Sequence, residues 1–258
     1  MPPESHAARP EDETPEQLST CASCHGARGR SSAKDIPHLA GQQPAYLVHQ
    51  LEAFRSGERK NELMQAIASQ LTPQDIQALA RYWSRLPPDG GGTAAKTGVE
   101  PVPSRMQFPG NPGNFPAGFI EYDRETDITS HTVTVRYVNG AAAEAVKAGK
   151  PLPSGAMVLS GNFEALLGAD GRPTLDPQGR WKLGPLRGVA GMELRHGWGE
   201  EVPRLLRNGD WHYGLWSAEG LSLLNGTHAR CLACHQPKAA QNHVFTWPAL
   251  QGALTGSH

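Results

Sequence analysis

Two five-residue stretches of the 258-residue chain combine cysteine and histidine at a spacing that suits one kind of chemistry. They are Cys21-Ala22-Ser23-Cys24-His25 and Cys231-Leu232-Ala233-Cys234-His235, and together they contain all four cysteines of the chain. Two thiols one helical turn apart can add to the two vinyl groups of one porphyrin, and the adjacent histidine then supplies an axial nitrogen to the iron. The motifs therefore predict two covalently attached haem c groups, with His25 and His235 as iron ligands.

Paired cysteines have other uses in proteins. A C-x-x-C pair alone also suits a redox-active dithiol or half of a zinc site, and the two pairs could supply four thiolates to one zinc ion. That zinc site would have to join opposite ends of the chain, and it leaves both following histidines without a role. We therefore favour haem attachment.

Composition and charge argue against several classes of protein. The chain has 24 Lys and Arg against 25 Asp and Glu, a net charge of -1, which argues against a nucleic-acid surface or a polybasic membrane anchor. It lacks the run of about 18 apolar residues that a transmembrane helix needs. Because haem c is attached outside the bacterial cytoplasm, we expect a periplasmic protein. Residues 1–5 lack the basic and apolar regions of a signal peptide, so we expect a mature or shortened form.

Residues 14–88 have the pattern of a small all-α domain. A proline or a capping threonine opens three predicted helices, which begin at Thr14, Pro44 and Thr72. The first of them should carry the first C-x-x-C-H motif. Residues 1–13 are polar and acidic, and we expect them to form a disordered tail.

A haem that only transfers electrons needs a second axial ligand, and Met64 is the main candidate opposite His25. It is the only methionine of this domain, and the stretch from Asn61 to Met64 is predicted to be irregular. A thioether opposite a histidine favours ferrous iron and raises the reduction potential. His38 and His49 are the alternatives, and a lone methionine also serves as a core filler.

Five segments of this domain carry a recognisable pattern: Cys21–Gly26, Ile36–Gln42, Tyr46–Leu47, Phe54–Gly57 and Leu71–Ile76. Together they resemble class I cytochromes c over residues 18–86, in particular the subgroup found as tandem haem domains, although no second class I domain follows. The resemblance implies His25 and Met64 as axial ligands, and a backbone carbonyl of Pro37 that holds the His25 ring. Six basic residues could dock an acidic redox partner or simply form a solvated surface: Arg28, Arg30, Lys34, Arg55, Arg59 and Lys60.

The pattern changes from helical to extended after a glycine- and proline-rich linker at residues 89–106. Alternating or β-branched segments predict strands at 132–138, 157–159, 189–196 and 211–216, and an alanine-rich segment predicts a helix at 141–148. The second domain, residues 107–250, is therefore expected to be α+β with an antiparallel sheet. Residues 251–258 are expected to form a tail.

Four segments of the second domain match a second family pattern: Gly149–Gly155, Asn208–Trp211, Cys231–Pro237 and Val244–Thr246. In order and spacing they resemble the cytochrome P-460 family, which includes the cytochromes c′-beta. The resemblance implies a five-coordinate haem on His235 and a distal side that can bind small ligands. True cytochromes P-460 cross-link a lysine to the porphyrin, and Ser160 occupies that position here. This departure argues against hydroxylamine oxidation.

The sequence does not decide which residue, if any, binds the second haem iron opposite His235. Met192 and His228 are the candidates, and His131, Met157 and His212 are weaker ones. A ligating residue would give a six-coordinate haem suited to electron transfer, whereas an apolar open side would bind nitric oxide or carbon monoxide. Five tryptophans are expected to line the core and the haem pocket: Trp181, Trp198, Trp211, Trp216 and Trp247.

Three functions are compatible with these features. The first, which we favour, is a dihaem electron carrier that serves a redox partner protein. The second is an oxidoreductase acting on a small nitrogen oxide, such as hydroxylamine or nitric oxide, at the His235 haem. The third is a gas-binding sensor. The sequence contains no evident catalytic carboxylate pair, nucleophile triad or phosphate loop, so any catalysis would depend on the iron.

Overall fold

The computed structural model describes four segments of the chain: residues 14–89, 104–109, 114–218 and 228–256. The chain divides into two compact units, Met1–Val102 with Pro203–Leu206, and Pro103–Val202 with Arg207–His258. The predicted N-terminal tail and most of the predicted linker lie outside the described residues. Within the described segments, no helix is both long and apolar enough to cross a lipid bilayer.

The first unit is helical, as predicted. Its helices are α1 (Leu18–His25), α2 (Pro44–Ser56), α3 (Glu62–Ala68) and α4 (Pro73–Arg85). Helix α1 begins later than Thr14 because Pro15 first closes a turn, in which the Leu18 N–H donates to the Pro15 carbonyl at 2.9 Å. Helix α4 begins at the predicted cap, where Thr72 and Asp75 form a reciprocal capping box.

Helix α3 corrects the prediction that the stretch around Met64 is irregular. Asn61 adopts an extended conformation before the helix, and its side-chain oxygen accepts a hydrogen bond from the Met64 N–H at 2.9 Å. This N-cap satisfies a donor that the helix itself leaves unpaired. A helix of seven residues is too short to show a clear hydrophobic period, so the sequence pattern missed it.

Helices α1, α2 and α4 share one apolar core. Leu18 of α1 packs with Leu47 of α2 and with Ile76, Leu79 and Trp83 of α4, and all five side chains are buried. Burial of this many large apolar side chains fixes α1 against α4. The first C-x-x-C-H motif therefore lies on a helix that the core holds in place.

The second unit is built on a five-stranded antiparallel sheet in the order β1-β2-β3-β4-β5. The strands are β1 (Phe119–Asp127), β2 (Thr132–Asn139), β3 (Ala156–Ala165), β4 (Leu183–Leu194) and β5 (Trp211–Ser217). The helices are α5 (Gly140–Lys147), α6 (Ala229–His235) and α7 (Trp247–Thr255). The α+β prediction is confirmed, but β1 was missed because this edge strand is mostly polar and only Tyr122 is buried.

The two faces of the sheet differ. One face carries Val135, Leu159, Val189 and Trp216, which form an apolar core. The register places Met192 and Tyr213 side by side on the other face, the face that α6 contacts through Tyr213. The strand pairing therefore decides which side chains can reach the second C-x-x-C-H motif.

Two predicted domain boundaries need adjustment. Met106 was assigned to the linker, but it is buried in the core of the second unit. The predicted tail begins at residue 251, inside α7, whose Leu250 is fully buried. Both segments lack the periodic pattern that would have marked them as part of the domain.

Candidate haem sites

The first candidate site is at the end of α1. Cys21 and Cys24 are half-buried, and His25, the last residue of the helix, is buried. Gly26 ends the helix with φ of +84°, and a Cβ at this position would collide with the Arg30 carbonyl. Only glycine can adopt this positive φ and also avoid the collision, so the chain can turn directly after the motif.

The loop that follows returns to the His25 ring. The Gly29 carbonyl accepts hydrogen bonds from the Leu39 and Ala40 N–H groups at 2.8 and 3.1 Å, which closes the loop. The closed loop brings the Pro37 carbonyl to 2.8 Å from His25 Nδ1. The predicted contact between Pro37 and His25 is thus confirmed.

This contact fixes the chemistry of the His25 ring. A carbonyl can only accept, so Nδ1 carries the proton and Nε2 keeps its lone pair. Burial lowers the pKa of His25, and the hydrogen bond to Pro37 opposes this effect only in part. A neutral imidazole with a free Nε2, beside two thiols on one helix, fits the donor set of a covalently attached haem.

The three candidate partners of His25 lie in different settings. Met64 is half-buried on α3. His38 is exposed, and its Nδ1 accepts a hydrogen bond from the Ser31 N–H at 3.0 Å. His49 is also exposed, and it contacts the Gln50 side chain.

The second candidate site repeats the arrangement on α6. His235 ends the helix, and its Nδ1 donates to the His243 carbonyl at 2.6 Å. A second hydrogen bond runs in the opposite direction, because His243 Nδ1 lies 3.1 Å from the His235 carbonyl oxygen. Asn242 and His243 both have left-handed backbones, with φ of 53° and 60°, and this turn directs the carbonyl back to the motif. Asparagine and histidine are among the residues that tolerate this conformation.

Two aromatic rings hold the His235 imidazole. The Tyr213 ring lies 4.6 Å away at a tilt of 44°, and the Phe245 ring lies edge-on at 4.8 Å. Burial lowers the pKa of His235, against the effect of the His243 carbonyl. The imidazole is therefore neutral at neutral pH, with Nδ1 as donor and Nε2 available to a metal.

The sheet beside Tyr213 carries a row of four side chains on one face, two polar and two apolar. The register aligns Arg136, Ser160, Ala190 and Leu215 across four strands, one step along the same face from Tyr213. Ala190 is exposed, Leu215 is 44% exposed, and Phe245 beside His235 is 47% exposed. Large apolar side chains exposed next to a candidate ligand are what a porphyrin would cover. The residues of the second site thus fit a haem.

The structure places the distal candidates as follows. His228 is fully buried and its Nδ1 accepts from the Tyr213 N–H at 3.0 Å; no described residue pairs with its Nε2. His212 uses both ring nitrogens, accepting from the Arg105 N–H and donating to the Trp198 carbonyl. Met192 is buried opposite Tyr213.

The weaker candidates lie elsewhere. His131 is exposed in the turn after β1, beside the Trp181 ring. Met157 belongs to the core on the opposite sheet face from Met192. In the described part of the chain, no group of three or more His, Cys, Asp or Glu side chains is arranged to bind a metal ion.

The tryptophans have mixed positions. Trp211 and Trp216 are buried, and Trp181 and Trp198 pack against the core of the second unit. Trp247 is half-buried at the start of α7. Their predicted contribution to the core is thus confirmed for the first four.

Comparison with known proteins identifies the family to which the chain belongs. A family model described as cytochrome P460 matches residues 114–246, more than half of the chain. The chain belongs to the cytochrome P460 family. A second model, cytochrome c, matches residues 16–86, so an N-terminal cytochrome c domain precedes the cytochrome P460 domain. Both families bind haem.

Curated relatives match about a third of the chain or less. A thiosulfate dehydrogenase electron acceptor from Thiomonas intermedia is 41% identical over 86 residues, which are 33% of this chain and 40% of that protein. A cytochrome c4 from Thiocapsa roseopersicina is 42% identical over 28% of this chain and 36% of its own length. Cytochrome c-554(548) from Halomonas halodenitrificans is 38% identical over 27% of this chain and 87% of its own length. The chain thus spans well under half the length of the first two.

Sequence reasoning missed several residues of the second site. Asn208 lay in a segment matched to the family but had no assigned role, and Tyr213 and His243 were not considered. The turn at Asn242 gives a weak signal, because Asn-His suits left-handed backbone, but the direction of a carbonyl depends on the folded loop.

Proposed function

We propose that this chain is a periplasmic dihaem c-type cytochrome that transfers electrons between a redox partner and its two covalently attached haems. The observation that carries the proposal is the repeated arrangement at the two motifs. His25 donates to the Pro37 carbonyl and His235 to the His243 carbonyl, at 2.8 and 2.6 Å. A haem iron bound to such a histidine changes between ferric and ferrous states and so carries one electron. The cytochrome c match and the relatives named as electron acceptors or cytochromes support this role.

Met64 is the proposed sixth ligand of the first haem. Asn61 caps α3 at the Met64 N–H, so the methionine backbone is held within the first turn of the helix. Its half-buried side chain contrasts with the exposed rings of His38 and His49. A histidine and a methionine on opposite sides of the iron give the high potential suited to an electron carrier.

The proposed redox partner is an acidic protein that docks on the first unit. All six predicted basic residues are exposed. Arg30 donates to the Pro88 carbonyl, Arg55 donates to the Leu71 carbonyl, and the Arg59 guanidinium lies over the Phe54 ring. Side chains that are already held by such contacts lose less conformational entropy when a partner docks. Electron transfer to the partner should therefore slow as ionic strength rises, since salt screens exposed charges.

A second candidate function is the binding or conversion of a small nitrogen oxide at the second haem. His228 Nδ1 accepts from the Tyr213 N–H, so the neutral ring carries its proton on Nε2 and has no lone pair to offer iron. This leaves Met192 as the competing ligand. We propose that the second iron is five-coordinate. Carbon monoxide added to the reduced protein should then shift about half of the Soret intensity, because one iron of two is open. An unshifted spectrum would exclude the open site and leave the carrier function.

The number of haems tests the main proposal directly. A pyridine haemochrome assay should give two c haems for each chain of the mature wild-type protein. The paired variants Cys21→Ala/Cys24→Ala and Cys231→Ala/Cys234→Ala should each retain one covalent haem, so each variant is the control for the other. One haem in the wild type, or zinc in place of iron, would overturn the two-centre proposal.

A further inference from the structure

Tyr213 contacts the second attachment segment directly at two points, and Asn208 links it to that segment at a third. Its backbone N–H donates to His228 Nδ1 at 3.0 Å, just before α6 begins. Its hydroxyl oxygen accepts from Asn208 Nδ2 at 2.9 Å, and its ring lies 4.6 Å from the His235 ring at the end of α6. Tyr213, Asn208 and His228 are all buried, so these contacts are shielded from competition with water.

Asn208 connects Tyr213 to the motif itself. Its Nδ2 also donates to the Leu232 carbonyl at 2.8 Å, and Leu232 lies between the two cysteines of the second motif. A carbonyl can only accept, so this bond fixes which end of the amide is the nitrogen. Both N–H groups of Asn208 are thus used, one on the phenol and one on the attachment helix.

His228 and His212 do not share this role. His228 receives the Tyr213 N–H, and the two nitrogens of His212 are bound to backbone groups. Their ring centroids lie 4.4 Å apart at a tilt of 55°. Of Tyr213, His228 and His212, only Tyr213 has a described contact with the His235 ring.

We propose that Tyr213, held by Asn208, is a positioning residue that fixes the plane of the His235 imidazole at the second haem. This inference rests on the proposed function, because it requires a haem at the second site. The His243 carbonyl holds one atom of the imidazole, and a single hydrogen bond leaves the ring free to rock about that atom. The Tyr213 ring on one side and the Phe245 ring at its edge remove this freedom.

The expected effect on the iron follows from the hydrogen bond to His243. A well-aligned Nδ1–H···O bond raises the basicity of the ligating imidazole, which favours ferric iron. If the ring rocks, the bond weakens on average and the ligand becomes less basic. Loss of the Tyr213 anchor should therefore raise the reduction potential of the second haem and broaden its electron paramagnetic resonance signal.

The test compares two matched tyrosine variants of the full-length haem protein. Tyr213→Phe keeps the ring but removes the hydroxyl that Asn208 holds. Tyr122→Phe is the control, because the buried Tyr122 hydroxyl is also hydrogen-bonded, to Thr246 at 2.8 Å, but its ring has no described contact with His235. Tyr213→Phe should broaden and shift the signal of the second haem and raise its potential. The first haem should remain unchanged in both variants and serves as an internal reference.

A second variant keeps the inference testable if Tyr213→Phe folds poorly. Asn208→Ser removes the amide while leaving the phenol in place, and it should give the same broadening and the same direction of potential change. Spectra and potentials identical to wild type in either folded variant would overturn the inference. Failure of both variants to acquire the second haem, while Tyr122→Phe acquires it, would also overturn it in favour of a purely structural role. A wild-type protein with one haem would instead refute the proposed function.

Discussion

His228 should make the second unit sensitive to acid. The ring is fully buried and accepts a hydrogen bond from the Tyr213 N–H. Burial, with a smaller effect from the neighbouring His212, lowers the pKa of His228 from its ordinary 6.5 to about 3. The folded chain therefore binds this proton less tightly than the unfolded chain does. The resulting stability is fully present above pH 6.5 and is lost as the pH falls toward 3.

The magnitude follows from the two pKa values. At about 1.36 kcal/mol for each pKa unit, His228 should lower the free energy of unfolding by about 2.5 kcal/mol between pH 7 and pH 4.5. This figure depends little on the folded-state pKa, because pH 4.5 still lies above it. It is set mainly by the ordinary pKa of histidine, which the unfolded chain regains.

The substitution His228→Asn isolates this effect. An asparagine Oδ1 can take the place of Nδ1 as acceptor for the Tyr213 N–H, but the side chain does not titrate. Urea unfolding at pH 7 and pH 4.5, followed by circular dichroism, should show that the variant loses about 2.5 kcal/mol less than wild type on acidification. Titrating groups that do not interact with His228 cancel in this comparison. His196→Asn, at an exposed histidine of the same unit, should behave like wild type. Equal acid losses in wild type and His228→Asn would refute the reasoning.

Three further substitutions test other parts of the structure. Asn61→Ala removes the cap of α3 at a cost of about 1 kcal/mol, so the population with Met64 dissociated should rise about fivefold; an unchanged far-red sulfur-to-iron band in mild urea would contradict this. Met64→Ala should abolish that band in the oxidised protein, and a persistent band would reassign the ligand. Gly191→Ala places a Cβ 2.5 Å from Leu159 Cδ2 and should destabilise the second unit by about 1–3 kcal/mol in urea. A urea midpoint equal to that of the wild type would rule out the clash.

The sequence predicts best where local chemistry and structure agree. Thr72 and Pro73 mark the start of α4 because capping and fixed backbone angles act within four residues. The alternation at residues 132–138 predicts β2 because one of its faces lies on the core. In both cases the signal is contained in a few neighbouring residues.

The prediction fails where the deciding partner is distant in the chain. Strand β1 is polar and gains its place by pairing with β2 along an edge, which its own composition does not indicate. The link from Asn208 to Leu232 spans 24 residues, and it exists only once β5 and α6 are packed together. The candidate site was therefore predictable at the motif and at Pro37, where a family resemblance was available, but not at Tyr213.

The carbonyl that accepts a hydrogen bond from each motif histidine lies later in the chain, by 12 residues for His25 and by 8 for His235. A growing or translocating polypeptide emerges from its N-terminus, so each motif is exposed before its carbonyl. A thioether bond to a porphyrin would need only the cysteines, whereas the imidazole would be free to turn until the downstream segment has folded back. In the proposed dihaem protein, covalent attachment would therefore be separable from the alignment of the histidine ring at each site.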